Sequence, residues 1–115
     1  MLKTMAQLMA EVAPSVRRID AEQAKIELLE NAGLLIDVRE PVECEKGMAK
    51  DAINIPRGIL EGKILELVKD ASHPIYLHCA AGVRASLAAE SIMRLGYENV
   101  TAISCKSDVV TSTFQ

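Results

Sequence analysis

Apolar residues along the chain alternate between short continuous runs and stretches with helical spacing. Five runs are bounded by turn residues and are typical of buried strands, at residues 16–19, 34–38, 52–55, 75–78 and 99–103. Between them, apolar residues three or four positions apart predict helices over residues 21–31, 59–68 and 85–95. Strands alternating with helices at short spacing predict an α/β fold, with a five-stranded, mostly parallel sheet and helices on both faces.

The first residues form a separate apolar stripe ended by Pro14, at Leu2, Met5, Leu8, Met9 and Val12. This spacing predicts an amphipathic lead-in helix within residues 1–15, followed by a single domain over residues 16–115. The stripe packs either on the domain's own surface or against a second subunit, so a homodimer remains open. A membrane surface is disfavoured because the polar face is not basic.

Composition narrows the range of functions. A chain of 115 residues, half of them apolar, fits one compact domain. A net charge of -3 and only three aromatic residues argue against a nucleic-acid partner. No apolar run approaches the roughly 20 residues that cross a bilayer. Three cysteines without a Cys-x-x-Cys pair favour neither a disulfide framework nor a zinc site, so we expect no metal, no cofactor and a reducing cytoplasm.

The chemistry is predicted at Cys79, where the strand at residues 75–78 turns into a helix. The first N–H groups of a helix have no partner within it, and a tight loop of small residues turns further N–H groups inward. Such a nest favours thiolate over thiol and would leave Cys79 as an exposed nucleophile. Arg84 adds a permanent cation for an anionic substrate. The alternative is that Cys79 is a small buried hydrophobic residue.

Three blocks of sequence resemble the rhodanese-like sulfurtransferases. The block Cys79-x-x-Gly82-x-Arg84 is similar to the family's active-site loop, and residues 34–43 and 52–56 are similar to its two N-terminal signatures. The resemblance implies five parallel strands with the cysteine loop at the centre of one rim. It implies that Cys79 is the nucleophile and sulfur carrier. From the chemistry of the predicted transfer, we expect the substrate-binding residues to be Ala80, Ala81, Gly82, Val83, Arg84 and Arg39. The backbone of residues 80–84 would cradle the sulfur, and Arg84 would brace the loop and attract the donor anion.

Asp37 interrupts an apolar strand, and a buried carboxylate is costly unless it is paired. We interpret it as structural support for the site, holding backbone N–H groups or Arg39, because a catalytic carboxylate beside a thiolate would oppose its ionisation. Arg39 is expected to face the pocket. His78 and His73 are interpreted as a strand-end and a loop residue, and neither is needed as a base.

The length of the loop after Cys79 and its small side chains favour sulfur transfer over phosphate chemistry. Phosphatases of the same fold have one more residue between Cys and Arg, so the four residues between Cys79 and Arg84 favour attack on sulfur. The predicted reaction moves a sulfane sulfur from thiosulfate, a persulfide or a polysulfide to cyanide or a thiol. The small uncharged side chains of Ala80, Ala81 and Val83 predict modest thiosulfate activity and a leaning toward persulfides, polysulfides or a protein donor. The alternatives are a sulfur-carrier or regulatory module with little turnover, and a small-oxyanion phosphatase or arsenate reductase.

The C-terminal part departs most from the family pattern. After residue 103 the Gly-Gly turn is absent, so the final helix is expected to be missing or replaced, leaving one face less covered. The lead-in helix or a second subunit would then cover that face. Cys44 is interpreted as a packing residue. Cys105 is interpreted as an inert thiol, with sulfur acceptance or a disulfide to Cys79 as the alternative.

Overall fold

The computed structural model describes all 115 residues, in five strands and six α-helices. The strands are β1 (Arg17–Ile19), β2 (Leu34–Asp37), β3 (Ile53–Asn54), β4 (Ile75–His78) and β5 (Val100–Ile103). The helices are α1 (Met5–Val12), α2 (Ala21–Asn31), α3 (Pro41–Cys44), α4 (Leu60–Leu67), α5 (Val83–Met93) and α6 (Ser107–Thr113). Two 3₁₀ turns, Ala13–Ser15 and Arg57–Ile59, follow α1 and precede α4.

The strands form one sheet in the order β1-β5-β4-β2-β3, and every neighbouring pair is parallel. Strand β4 lies in the centre, with Ile75 beside Leu34 of β2 and Val100 of β5. All four residues of β4 are buried, which explains why it reads as a continuous apolar run. The predicted α/β fold with a five-stranded parallel sheet is confirmed.

Successive side chains of each strand enter opposite faces of the sheet. On one face, Ile36, Leu77 and Ala102 pack in a core with residues of α4 and α5. On the other, Leu35 and Tyr76 pack in a core with residues of α2 and α6. The helices therefore cover both faces, as predicted. The longest helices have 11 residues, and no helix of the structure has the length and apolar character that a membrane span requires.

Helix α2 begins as the sequence indicates, but its buried side differs from the prediction. Asp20 caps the helix, with its Oδ1 accepting the N–H of Gln23 at 2.8 Å. The spacing predicts that Ala24, Ile26 and either Leu28 or Leu29 turn inward. Ala24 is buried and Leu28 is half-buried, whereas Ile26 and Leu29 are 47% and 78% exposed. The fully buried positions are Ala21 and Ala24. Both side chains lie in the core that also contains Leu35 and Tyr76 of the sheet.

The lead-in helix α1 packs on the domain itself, against α5. It begins at Met5 after a capping box on Thr4, and none of its residues is fully buried. Leu8, Met9 and Val12 are half-buried, whereas Leu2 and Met5 remain exposed. The apolar stripe is therefore only partly covered.

Of the two expectations for the final helix, missing or replaced, the first is wrong, and so is the expectation of a less covered face. Residues after β5 form α6, which contacts α2 and buries Val110 and Phe114 against the sheet. These two side chains lie four positions apart, which places them on one side of a helix. The only phenylalanine of the chain thus completes the core on the α2 face.

Candidate active site

Cys79 directly follows the central strand β4, at the carboxyl edge of the sheet. Its Sγ accepts the backbone N–H of Gly82 at 3.1 Å and that of Ala85 at 3.3 Å. Ala85 lies in the first turn of α5, where N–H groups lack partners inside the helix. Two main-chain donors therefore point at the sulfur, as expected for a nest that stabilises an anion.

The loop around the sulfur is fixed by the segment that follows β5. Gly82 adopts a φ of +95°, and a Cβ on it would lie 3.2 Å from the carbonyl oxygen of Ser104. The N–H of Ser107 donates to the carbonyl of Ala80 at 2.9 Å. The carbonyl of Gly82 in turn accepts the hydroxyl of Ser86 at 2.7 Å. The C-terminal segment thus helps to shape the loop, a role that the sequence did not indicate.

The sulfur is covered, and the expectation of an exposed thiolate is wrong. Cys79 is only 1% exposed, because the loop folds over the side chain and its amides close on the sulfur. Ala81 and Val83 are exposed at the surface of the loop, and Ala80 and Arg84 are half-buried. The Cys79 side chain therefore has almost no contact with solvent.

Arg84 is paired with a carboxylate from α3. Its Nη1 and Nη2 donate to Oε1 and Oε2 of Glu43 at 2.6 and 2.8 Å, and both side chains are about one-third exposed. Hydrogen bonds from Arg84, and then from the N–H of Glu40, lower the pKa of Glu43 to about 2. The same pairing raises the pKa of Arg84. No short-range pattern selects Glu43 as the partner of Arg84, although its position three residues after Glu40 is typical of a helix capping box.

Arg39 does not face the pocket as the sequence analysis expected. It is 7% exposed, and its Nε and Nη2 donate to the two carboxylate oxygens of Asp37 at 3.0 and 2.7 Å. Nη2 also donates to the carbonyl of Gly47 at 3.0 Å. Its guanidinium therefore ties the end of β2 to the loop after α3.

Asp37 is completely buried at the end of β2. Burial acts to raise its pKa, but the hydrogen bonds from the Arg39 side chain and the nearby charges outweigh it, so the pKa is lowered. The backbone N–H of Arg39 adds a further bond at 3.0 Å. Asp37 is thus an ionised carboxylate held by donors of Arg39.

Two further side chains lie beside Asp37. His78 is completely buried, neither ring nitrogen has a hydrogen-bond partner, and Nε2 is 3.5 Å from Oδ2 of Asp37. Burial lowers the pKa of His78 despite the neighbouring carboxylate, which favours the neutral ring. The Sγ of Cys44 also lies 3.5 Å from Oδ2 of Asp37, and burial raises the pKa of this thiol. Cys44 thus has a polar contact that the packing interpretation did not include.

All three cysteines are free thiols. Cys105 is half-buried, and its Sγ accepts the N–H of Ala21 at 3.2 Å. No group of three or more His, Cys, Asp and Glu side chains is arranged to hold a metal ion.

Residues 20–105 match the rhodanese-like domain family. The chain belongs to this family. Within it, this rhodanese-like domain is 34% identical over 86 residues to a protein of Allochromatium vinosum named "Sulfurtransferase", which covers 74% of this chain and 78% of that protein. It is also 34% identical over 99 residues to the mitochondrial thiosulfate sulfurtransferase RDL2 of Saccharomyces cerevisiae, covering 76% of this chain and 66% of that protein.

Solved structures show the same fold. The polysulfide-sulfur transferase homodimer of Wolinella succinogenes superposes with a TM-score of 0.69 at 25% identity, over 90% of this chain and 80% of that one. Family membership and these relatives support sulfur transfer as the general chemistry of the rhodanese-like domain.

Proposed function

We propose that this rhodanese-like domain moves a sulfane sulfur from an anionic donor, such as thiosulfate, a persulfide or a polysulfide, to cyanide or a thiol through a persulfide on Cys79. The observation that carries the proposal is the pair of main-chain N–H groups, of Gly82 and Ala85, that donate to Cys79 Sγ. Hydrogen bonds to a charged acceptor are stronger than neutral ones, so these two donors suit a sulfur that carries negative charge during the transfer.

The reaction has two displacement steps. The Cys79 thiolate attacks the outer sulfur of thiosulfate, the sulfur–sulfur bond breaks, and sulfite leaves with the electron pair, so that Cys79 carries an anionic persulfide. A cyanide ion or a thiolate then attacks the terminal sulfur. Cyanide leaves as thiocyanate, a thiolate leaves as a new persulfide, and the Cys79 thiolate is restored. Charge and sulfur balance in each step.

The loop has unused donors for the terminal sulfur of the persulfide. The N–H groups of Ala80, Ala81, Val83 and Arg84 make no hydrogen bond within the protein. All four belong to the five residues that follow Cys79, so they are available as donors when the sulfur is lengthened by one atom. This supports the roles of residues 80–84 in binding the transferred sulfur. Asp37 supports the site through Arg39 rather than by contact with the substrate.

One observation favours a second candidate, a sulfur-carrier module with little turnover. Because Cys79 is 1% exposed, small donors in solution reach the sulfur only after the loop moves. A partner protein that binds the loop and opens it would load the same cysteine.

Mass spectrometry and steady-state assays separate the candidates. After incubation with thiosulfate or polysulfide, a gain of one sulfur atom at Cys79 with thiocyanate turnover supports the enzyme, and a gain without turnover supports the carrier. We expect Cys79→Ser to lose both. The matched control is Cys105→Ser, which should retain both because this thiol makes no contact with the loop sulfur. Absence of any added sulfur on the wild-type protein after incubation with thiosulfate and with polysulfide would refute sulfur transfer from small donors.

A further inference from the structure

The carboxylate of Glu43 is bound to the guanidinium of Arg84, which would otherwise attract an anionic donor. Arg84 is the cation of the active-site loop, and both of its terminal nitrogens donate to the Glu43 carboxylate at 2.6 and 2.8 Å. This bidentate geometry uses the two donors that a sulfonate or sulfate group would bind. A small anion must therefore compete with Glu43 for Arg84.

The carboxylate is held in place by contacts other than Arg84. Oε1 of Glu43 accepts the N–H of Glu40 at 3.0 Å, which caps the short helix α3. The carbonyl of Glu43 accepts Nη1 of Arg39 at 3.4 Å, and Arg39 is itself bound to buried Asp37. Glu43 is thus held beside Arg84 of the active-site loop, and it stays ionised because its pKa is about 2.

Pairing leaves the site arginines without free positive charge. Arg39 is neutralised by Asp37 and Arg84 by Glu43. Thiosulfate brings two negative charges toward a thiolate, and repulsion at these distances is offset only by nearby cations. In a thiol-bound persulfide, the sulfur that leaves carries an organic group instead of the charged oxygens of thiosulfate, so this repulsion is smaller.

We propose that Glu43 is a specificity-determining residue that weakens the binding of compact dianionic donors and directs Cys79 toward thiol-bound persulfides. This inference rests on the proposed sulfur transfer. With a persulfide RSSH, the Cys79 thiolate attacks the outer sulfur, the sulfur–sulfur bond breaks, and RS⁻ leaves with the electron pair. The sulfur on Cys79 keeps the proton, so charge and atoms balance.

The test is Glu43→Gln, because the amide oxygen still caps the N–H of Glu40 while the charge is removed. We expect the KM for thiosulfate to fall about fivefold, the effect of one partly exposed charge pair, with kcat within about twofold. With glutathione persulfide, kcat/KM should change less than about twofold, because its charges lie on the peptide rather than beside the reacting sulfurs.

Glu61→Gln is the matched control. Glu61 pairs with Arg57 at 2.9 Å, and these side chains are 37% and 32% exposed, close to the 34% and 36% of Glu43 and Arg84. Glu61 also binds Ser91, about two turns along α5 from the loop. The control removes the same net charge away from the site and should leave both donors unchanged.

A binding measurement keeps this inference separate from the proposed function. In the Cys79→Ser background, the Kd of thiosulfate from calorimetry should tighten about fivefold when Glu43→Gln is added. In the Cys79→Ser protein with Glu43 intact, the Kd of thiosulfate should vary little with salt, because Arg84 is already paired. This second measurement does not depend on whether the Glu43 variant folds. Loss of sulfur transfer in the wild type would refute the proposed function, while these Kd values still decide the role of Glu43.

Three results would overturn the role of Glu43. The first is a thiosulfate KM and Kd that are unchanged or raised in Glu43→Gln. The second is an equal improvement with both donors, which would mean that Glu43 acts on the position of the loop rather than on charge. The third is thiosulfate binding to Cys79→Ser protein that weakens steeply with salt, as expected of an unpaired Arg84.

Discussion

Replacing Gly82 by alanine tests whether backbone geometry holds the Cys79 sulfur, the proposed nucleophile. Gly82 has a φ of +95°, in the left-handed region that favours glycine. An added Cβ would lie 3.2 Å from the carbonyl oxygen and 3.3 Å from the Cα of Ser104. The same residue donates its N–H to Cys79 Sγ. One methyl group therefore strains the loop and displaces a donor.

The expected cost has two parts. The left-handed conformation costs about 1–2 kcal/mol for a residue with a Cβ. Crowding against backbone, which has no rotamer to adopt, adds about 1 kcal/mol or more. We therefore expect the free energy of unfolding of Gly82→Ala to fall by about 2–3 kcal/mol. Loss of a charge-assisted bond to the thiolate, about 1.5 kcal/mol, should slow persulfide formation at Cys79 about tenfold.

Two other glycines separate these effects. Gly96 has a φ of +111° but open space around its Cα, so Gly96→Ala should carry the strain alone, about 1–2 kcal/mol, and leave Cys79 unaffected. Gly62 lies within α4 with nothing near it, so Gly62→Ala should stabilise the domain by up to about 1 kcal/mol. Urea unfolding measures stability, and mass spectrometry over time measures persulfide formation. The reasoning fails if Gly82→Ala is no less stable than Gly96→Ala and forms persulfide at the wild-type rate.

Two predictions concern the buried groups beneath the loop. Asp37→Asn leaves the buried charge of Arg39 without its carboxylate, so the free energy of unfolding measured with urea should fall by about 3 kcal/mol. The exposed pair is the comparison, and Glu61→Gln should lower it by less than about 1 kcal/mol. Equal losses in the two variants would contradict this distinction between buried and exposed pairs. Burial lowers the pKa of His78 below 6.5, so at lower pH the unfolded chain binds a proton that the folded chain does not. Stability should therefore fall as the pH drops through about 6.5, and His78→Gln should reduce this step; an identical pH profile for the variant would argue against it.

The sequence predicts the features that depend on residues close together in the chain, such as the bounds of strands and helices. The strand at residues 75–78 and the helix at residues 21–31 have the bounds that the spacing indicates. The amides that point at Cys79 come from Gly82 and Ala85, so the turn from strand to helix already places them near the sulfur. Periodicity gives the spacing of residues along one side of a helix but not how far that side is covered. Ala24 is therefore buried as predicted, whereas Ile26 is exposed.

Tertiary structure decided whatever depends on residues far apart in the chain. Glu43 and Arg84 are 41 positions apart, and no local pattern shows that α3 brings this carboxylate to the loop. The closing helix α6 likewise forms where Val110 and Phe114 find an apolar face to cover. The sequence by itself determined the fold class and the place of Cys79 at the turn from strand to helix, because short-range spacing and backbone geometry fix both. Only the folded chain decided that the sulfur is covered and that both arginines are paired, because burial and ion pairing depend on which distant groups meet.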